Sequence, residues 1–151
     1  MTTDAVAGLN YQYYETARQE TLPELSAMRP KTRGVCALPE LARLERLVGA
    51  AMRYEGFFVA ATDGRYEFHL ASNGPSRMTL AGQRVIDTAE PYRPAEGRGA
   101  VWLYKGVQPV IIEYFVNQGK PFPDLSVVPP DMPRRKVQAA DFLRKAATPP
   151  H

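Results

Sequence analysis

The chain has 151 residues, 44% hydrophobic and 10% aromatic, with a formal net charge of +3 and a pI near 9.1. That length fits a single domain with a core of its own, and the composition excludes a disordered chain. So small a charge excess, without a basic patch interleaved with stacking aromatics, excludes nucleic acid as the expected partner, and no apolar run reaches the roughly 20 residues of a membrane span.

The opening residues MTTDAVAG lack the basic-then-apolar order of a signal peptide, so none is expected in this chain. Leu9–Tyr14 (LNYQYY) reads as an aromatic-rich strand. Thr21–Leu38, with Pro23, Pro30 and Gly34, reads as irregular coil; it carries the single cysteine, Cys36, which precludes an intrachain disulfide and is expected as a packed thiol. Pro39–Val48 reads as a helix, with Pro39 in the first turn and Leu41, Leu44, Leu47 and Val48 on one face.

From Met52 the period changes to two. Tyr54, Phe58 and Ala60 fall on one face, and Asp63-Gly64 reads as a hairpin turn. Tyr66, Phe68 and Leu70 then line an inner face. Asn73-Gly74-Pro75 is a loop tip, Met78 and Leu80 resume the alternation, and Gly82 marks the next turn. Thr88–Gly99 reads as a long polar loop; Asp87, Glu90, Glu96, Arg93 and Arg98 lie around it and are read as solvated charges rather than the rim of a pocket. Ala100–Tyr104 and Pro109–Phe115 are expected to form a hairpin around Lys105-Gly106, with Val101, Leu103, Val110, Ile112 and Tyr114 inward. A last strand is expected at Leu125–Val128, followed by a proline-rich stretch with the solvated triplet Arg134-Arg135-Lys136. Gln138–Ala147 reads as a short helix packing Phe142, Leu143 and Ala146 back onto the sheets.

The reading is therefore all-β: an antiparallel sandwich of barrel-like shape with one or two short peripheral helices. It spans one domain over 8–147, with loose ends at 1–7 and 148–151.

Gly8-Leu9-Asn10-Tyr11, Tyr13-Tyr14-Glu15 and Leu22-Pro23 open a pattern that continues with Gly56-Phe57, Asp63-Gly64 and Tyr66-Glu67-Phe68. Ser76-Arg77-Met78, Leu80, Gly82, Val85, Val101, Leu103, Gly106, Pro109-Val110 and Glu113-Tyr114-Phe115 complete it. In this order and spacing the chain resembles the protective-antigen (PA-fourteen) domain family, from about Gly8 to Phe142. The resemblance implies a β-sandwich found in bacterial adhesins, toxins and glycosidases, hence an extracellular, cell-surface or periplasmic setting. It also implies carbohydrate binding in many members, through calcium held by two adjacent aspartates joined by a cis peptide. Those positions here are Asn73 and Gly74, and the aspartate usually placed before the next turn glycine is Ala81. A hard cation needs several oxygen ligands; without these carboxylates no metal or other cofactor is expected, and calcium is disfavoured.

The expected site lies instead on an outward face. Trp102, Tyr104 and Ile111 stand where the family usually shows small or charged residues, Phe57 and Val59 point outward on their own strand, and Trp102 and Ile111 are expected as cross-strand neighbours. That patch fits a non-catalytic binding or assembly module contacting a protein partner or a neighbouring subunit. The alternative is a lectin-like carbohydrate-binding domain using Asn73, Ser76, Arg77, Asp87 and Asn117 on its loops. His69 is expected to be structural, as no Cys or His stands at metal-ligand spacing from it. No nucleophile motif, phosphate loop or facing carboxylate pair supports an enzyme.

Overall fold

The alternation that begins at Met52 becomes extended backbone on both sides of one core. The computed structural model describes residues 5–15, 32–36, 50–72, 76–87, 95–116 and 124–145. In chain order the strands are β1 (Ala5–Ala7), β2 (Leu9–Glu15), β3 (Thr32–Cys36), β4 (Ala50–Ala60), β5 (Gly64–Ser72) and β6 (Ser76–Leu80). They continue with β7 (Gln83–Asp87), β8 (Ala95–Leu103), β9 (Gly106–Val116), β10 (Asp124–Val128), β11 (Arg135–Lys136) and β12 (Phe142–Lys145). Among the described residues the large sheet runs β1-β12-β4-β9-β6-β7, with β2 paired to β4 and β3 to β2; the small sheet runs β11-β10-β5-β8. Both are antiparallel, and the fold is the expected β-sandwich.

The inner faces carry the residues that the alternation assigned to them. Met52, Tyr54, Phe58 and Ala60 of β4 are buried with Met78, Leu80, Val110 and Ile112 on the large sheet. Tyr66, Phe68, Leu70, Val101, Leu103, Leu125 and Val127 are buried on the small one. Phe58 joins the two layers. Its ring stands edge-on to Tyr66 (5.7 Å, 80°) and Phe68 (5.1 Å, 81°) across the sandwich, and to Phe142 (6.2 Å, 67°) beside it. Such edge-to-face pairs add about 0.5–1.5 kcal/mol each to the area they bury.

Several expectations are corrected. The stretch 138–147 is not a helix as far as it is described. A single 3-10 turn at Ala139–Asp141 leads into β12, which places Phe142 opposite Phe58 and Leu143 opposite Phe57. Consecutive residues of a strand point to opposite faces, so Phe142 is buried in the core while Leu143 lies on the outer side. Arg135 is not part of a solvated tail. Its guanidinium forks onto the Asp141 carboxylate at 2.7 and 2.8 Å, and Asp141 also accepts the Gln138 N–H at 2.7 Å. This charge-assisted bracket turns the chain from β11 into β12 and raises the guanidinium's already high pKa.

Ala5–Ala7, expected to be loose, pairs with Leu143–Lys145. Thr32–Cys36, expected as coil, is a strand paired with Leu9–Tyr13. The expected helix Pro39–Val48 and the end 148–151 lie outside the described residues.

Ala95–Gly99 is strand rather than loop, and its glycines explain why the sequence hid it. A Cβ on Gly99 would run into the carbonyl oxygen of Val85, so β7 lies directly against β8 where the two sheets meet. Because the obstacle is backbone, Gly99→Ala is expected to destabilise the fold by about 3 kcal/mol or more, the upper range of overpacking. Urea denaturation of the variant measures this; an unchanged midpoint would contradict the close approach.

Candidate functional site

The two turns read as hairpins, Asp63-Gly64 and Lys105-Gly106, are both crossings between the sheets. β4 and β9 pair in the large sheet down to Ala60↔Gly106, whereas β5 and β8 pair in the small sheet from Gly64↔Leu103. The chain thus leaves the large sheet through residues 61–63 and returns to it through 104–105, side by side. Asp63 Oδ1 accepts the Lys105 N–H at 2.6 Å and ties one crossing to the other. Tyr66 braces the first, donating its hydroxyl to the Thr62 carbonyl at 2.7 Å and accepting the Thr62 N–H at 3.2 Å. Gly64 is required there, since a Cβ would meet Pro130 at 2.5 Å.

This geometry divides the expected aromatic face. Trp102 lies on β8, opposite Arg65 of β5 on the outer side of the small sheet. Ile111 lies on β9 of the large sheet, opposite Glu55 and Thr79. Phe57 and Val59 share the large sheet's outer face with Ile111, opposite Pro109 and Val107, and all three are half-buried. Trp102 and Ile111 are therefore not cross-strand neighbours, because their strands part at the Lys105 crossing.

What remains together is a corner of the small sheet. Trp102 is 53% and Tyr104 69% exposed, and their rings meet edge-to-face at 4.7 Å and 83°. Gln108 Nε2 donates to the Tyr104 carbonyl at 3.0 Å and holds the turn that presents the ring. On the other side of Arg65 the turn Pro129–Met132, closed by the Met132 N–H on the Pro129 carbonyl at 3.2 Å, carries exposed Met132. Arg65, Val128, Pro129, Pro130, Asp131 and Met132 line an open depression of about 480 Å³. The Arg65 guanidinium, 3.6 Å from Glu67, stands between aromatic pair and depression. Sequence reasoning found Trp102 and Tyr104 but missed Arg65 and the Pro129–Met132 turn. The period-two pattern already placed Arg65 outward; its pairing with Trp102 depended on which strands meet.

The expected ligand-loop residues are placed differently. Asn73 and Asn117 lie outside the described residues. Ser76 is buried at the start of β6. Arg77 and Asp87 belong to a transverse row of cross-strand neighbours on the outer face of the large sheet: Asp87↔Arg77↔Glu113↔Arg53↔Gln12↔Arg33. Charges alternate along its first four members. The Arg53, Arg77 and Glu113 side chains are only 15%, 13% and 10% exposed, with Glu113 3.5 Å from Arg53 and 3.9 Å from Arg77. A row so enclosed knits strands together.

Ala81, where the resemblance implies an aspartate, sits in a left-handed turn (φ 53) before Gly82 (φ 79) and brings no oxygen ligand from its side chain. Among the described residues no group of three His, Cys, Asp or Glu side chains converges as a metal site. His69 Nε2 and Glu67 Oε2 share a 2.6 Å hydrogen bond, and Ser126 is the cross-strand neighbour of His69. His69 and Ser126 are 6% and 5% exposed, and neither lines the depression at Arg65.

The chain belongs to the PA14 domain family, whose model matches residues 49–141, from the eve of β4 to the 3-10 turn. Among solved structures it is similar to the PA14 domain of the antifreeze protein MpAFP, at TM-score 0.79 and 12% identity over 99% of this chain and 96% of that one. It is also similar to the PA14 sugar-binding domain from an RTX adhesin, at TM-score 0.77 and 14% identity over 92% of this chain and 99% of that one. An anti-sigma factor domain-containing protein from Clostridium clariflavum matches at TM-score 0.74 and 17% identity over 97% of this chain; the chain spans 49% of that protein's length. Identities this low carry the fold alone. No curated protein matches the sequence.

The buried row makes a pH prediction through Tyr14, whose hydroxyl donates to Gln12 Oε1 at 2.7 Å. Burial pushes the Tyr14 phenol above its ordinary 10.0; Arg53 and Arg33 oppose that, while Glu113 and Glu55 add to it. A raised folded-state pKa gives stability that is intact below the unfolded value and lost as pH rises through the folded one. Unfolding free energy is therefore expected to fall from about pH 10 upward. Tyr14→Phe should flatten part of that fall while costing about 1 kcal/mol at neutral pH. Denaturant midpoints at about pH 8 and about pH 11 check this; an equal alkaline loss in both proteins would contradict it.

Proposed function

We propose that this chain is a non-catalytic binding module that docks a protein partner, or a neighbouring subunit of a larger assembly, on the aromatic corner of its small sheet. The observation that carries the reading is the exposed Trp102–Tyr104 pair beside exposed Arg65. Trp, Tyr and Arg are the residue types enriched at the energetic centres of interfaces. The edge-to-face contact of the two rings and the Gln108 bond to the Tyr104 carbonyl favour one geometry before a partner arrives, which lowers the ordering cost of binding. The half-buried Phe57, Val59 and Ile111 are not needed for this contact. Family membership supports placing the module in an exported or cell-surface setting.

Carbohydrate is the second reading, favoured by the exposed Trp102 ring, on whose face a sugar ring packs. The RTX adhesin's domain is a sugar-binding one. In this chain a sugar contact would not depend on a carboxylate at Ala81. A glycan array run with and without a chelator tests that reading: Trp102-dependent, chelator-insensitive binding supports it, and chelator-sensitive binding would restore calcium to the site.

Trp102→Ala combined with Tyr104→Ser is expected to lower the unfolding free energy by about 1–3 kcal/mol, as the ring pair and the covered part of Trp102 are lost, and to leave the fold intact. It should weaken capture of the partner by about 30-fold or more, the scale of a hot-spot loss. Ile111→Thr on the other sheet should retain capture. Quantitative pull-downs with the three proteins decide it; equal capture by the aromatic double variant would sink the docking corner.

A further inference from the structure

We infer that the partner docks as an extended acidic polypeptide segment with one apolar anchor residue, lying along the outer side of β8 from Trp102 to Arg98. The inference rests on the docking corner proposed above and adds the chemistry of what it takes. On the outer side of β8, Trp102, Ala100 and Arg98 follow one another, opposite Arg65, Glu67 and His69 of β5. Ala100 is exposed and small, so the surface between the Trp102 ring and the Arg98 guanidinium is a shallow track. Four strand residues set its length at about 13 Å, which four residues of an extended peptide cover. β8 is also the outermost strand of the small sheet among the described residues.

The charge along the track favours acid. Arg65, with 68% of its side chain exposed, flanks the anchor end, and exposed Arg98 closes the far end. Exposed Lys105 lies at the crossing, and exposed Lys136 extends the Arg98 row across the sheet. The described carboxylates nearby are fewer than these four cations: Asp63 accepts the Lys105 N–H, Glu67 is shared between His69 and Arg65, and exposed Asp131 lies in the depression on the other side of Arg65. An anchor side chain on Trp102 and Tyr104 therefore meets one cation beside it and a second about four residues along. A basic segment of the same shape would be repelled by Arg65 and Arg98, and a neutral one would gain no attraction from either.

The test is panning a random peptide library on the whole chain, followed by affinity measurement of the enriched synthetic peptides. Supported, the enriched peptides carry an aromatic or aliphatic residue followed within about four residues by Asp or Glu. Their binding should weaken about tenfold between about 50 and about 500 mM NaCl as screening grows. It should weaken about tenfold or more in Arg65→Gln/Arg98→Gln and further in Arg65→Glu/Arg98→Glu, with thermal midpoints confirming that both variants fold.

Enriched peptides that need Trp102 but show no acidic bias, and ignore the arginine variants, would overturn the acidic segment and leave the corner standing. Peptides indifferent to both Trp102→Ala and the arginine variants would overturn both proposals. An array on which acidic glycans bind through Trp102, while no peptide is enriched, would replace the polypeptide with a sugar.

Discussion

The double crossing between the sheets is the constraint on which the rest depends. Within a few residues the paired strands β4 and β9 fold over into the paired strands β5 and β8, and one buried-side ring, Tyr66, together with the Asp63 bond to the Lys105 backbone at 2.6 Å, fixes the bend. The bend brings Phe58 of one layer onto Tyr66 and Phe68 of the other, so the core is closed from the crossing inward. It also forces Tyr104 out of the ladder at the end of β8 and leaves Trp102 on the last outward position before the chain turns away. The exposed aromatic corner at this place is a consequence of how the sandwich is folded over.

The two outer faces are chemically unlike. On the large sheet the cross-strand row through Arg77, Glu113 and Arg53 is almost enclosed, and each charge has opposite charges as neighbours. Removing one member would strand another, so the row holds strands in register rather than offering itself to a ligand. On the small sheet Trp102, Tyr104 and Arg65 face outward with most of their side chains accessible. The family fold is shared by domains of antifreeze, adhesin and anti-sigma factor proteins, which is why the fold cannot name a ligand.

Much of the architecture was legible because burial follows the pleat. Period alone places Tyr66, Phe68, Leu70, Val101, Leu103, Val110 and Ile112 inward, and all are buried. Strand partnership was not legible. Asp63-Gly64 and Lys105-Gly106 have hairpin composition, yet a turn of that composition joins strands within a sheet or across sheets; alternation fixes a residue's face and says nothing about its neighbour. That is why Trp102 was paired with Ile111 instead of Arg65. The stretch after Gln138 misled differently: Phe142 and Leu143 satisfy a helical stripe, but the Arg135–Asp141 fork, between residues six apart, ends the turn and extends the chain. Gly99 hid half of β8 because its role is the approach of β7, a contact that no local signal announces.

Trp102 is the single tryptophan of the chain, so its fluorescence reports on the corner and nothing else. In the free protein its emission should be red-shifted and readily quenched by acrylamide, as befits a ring more than half exposed. On saturation with an enriched peptide or a captured partner, the account requires the emission to move to the blue and the quenching constant to fall, because the ring becomes the buried anchor. An emission spectrum and a quenching constant unchanged in a saturated complex would place binding elsewhere and contradict the account.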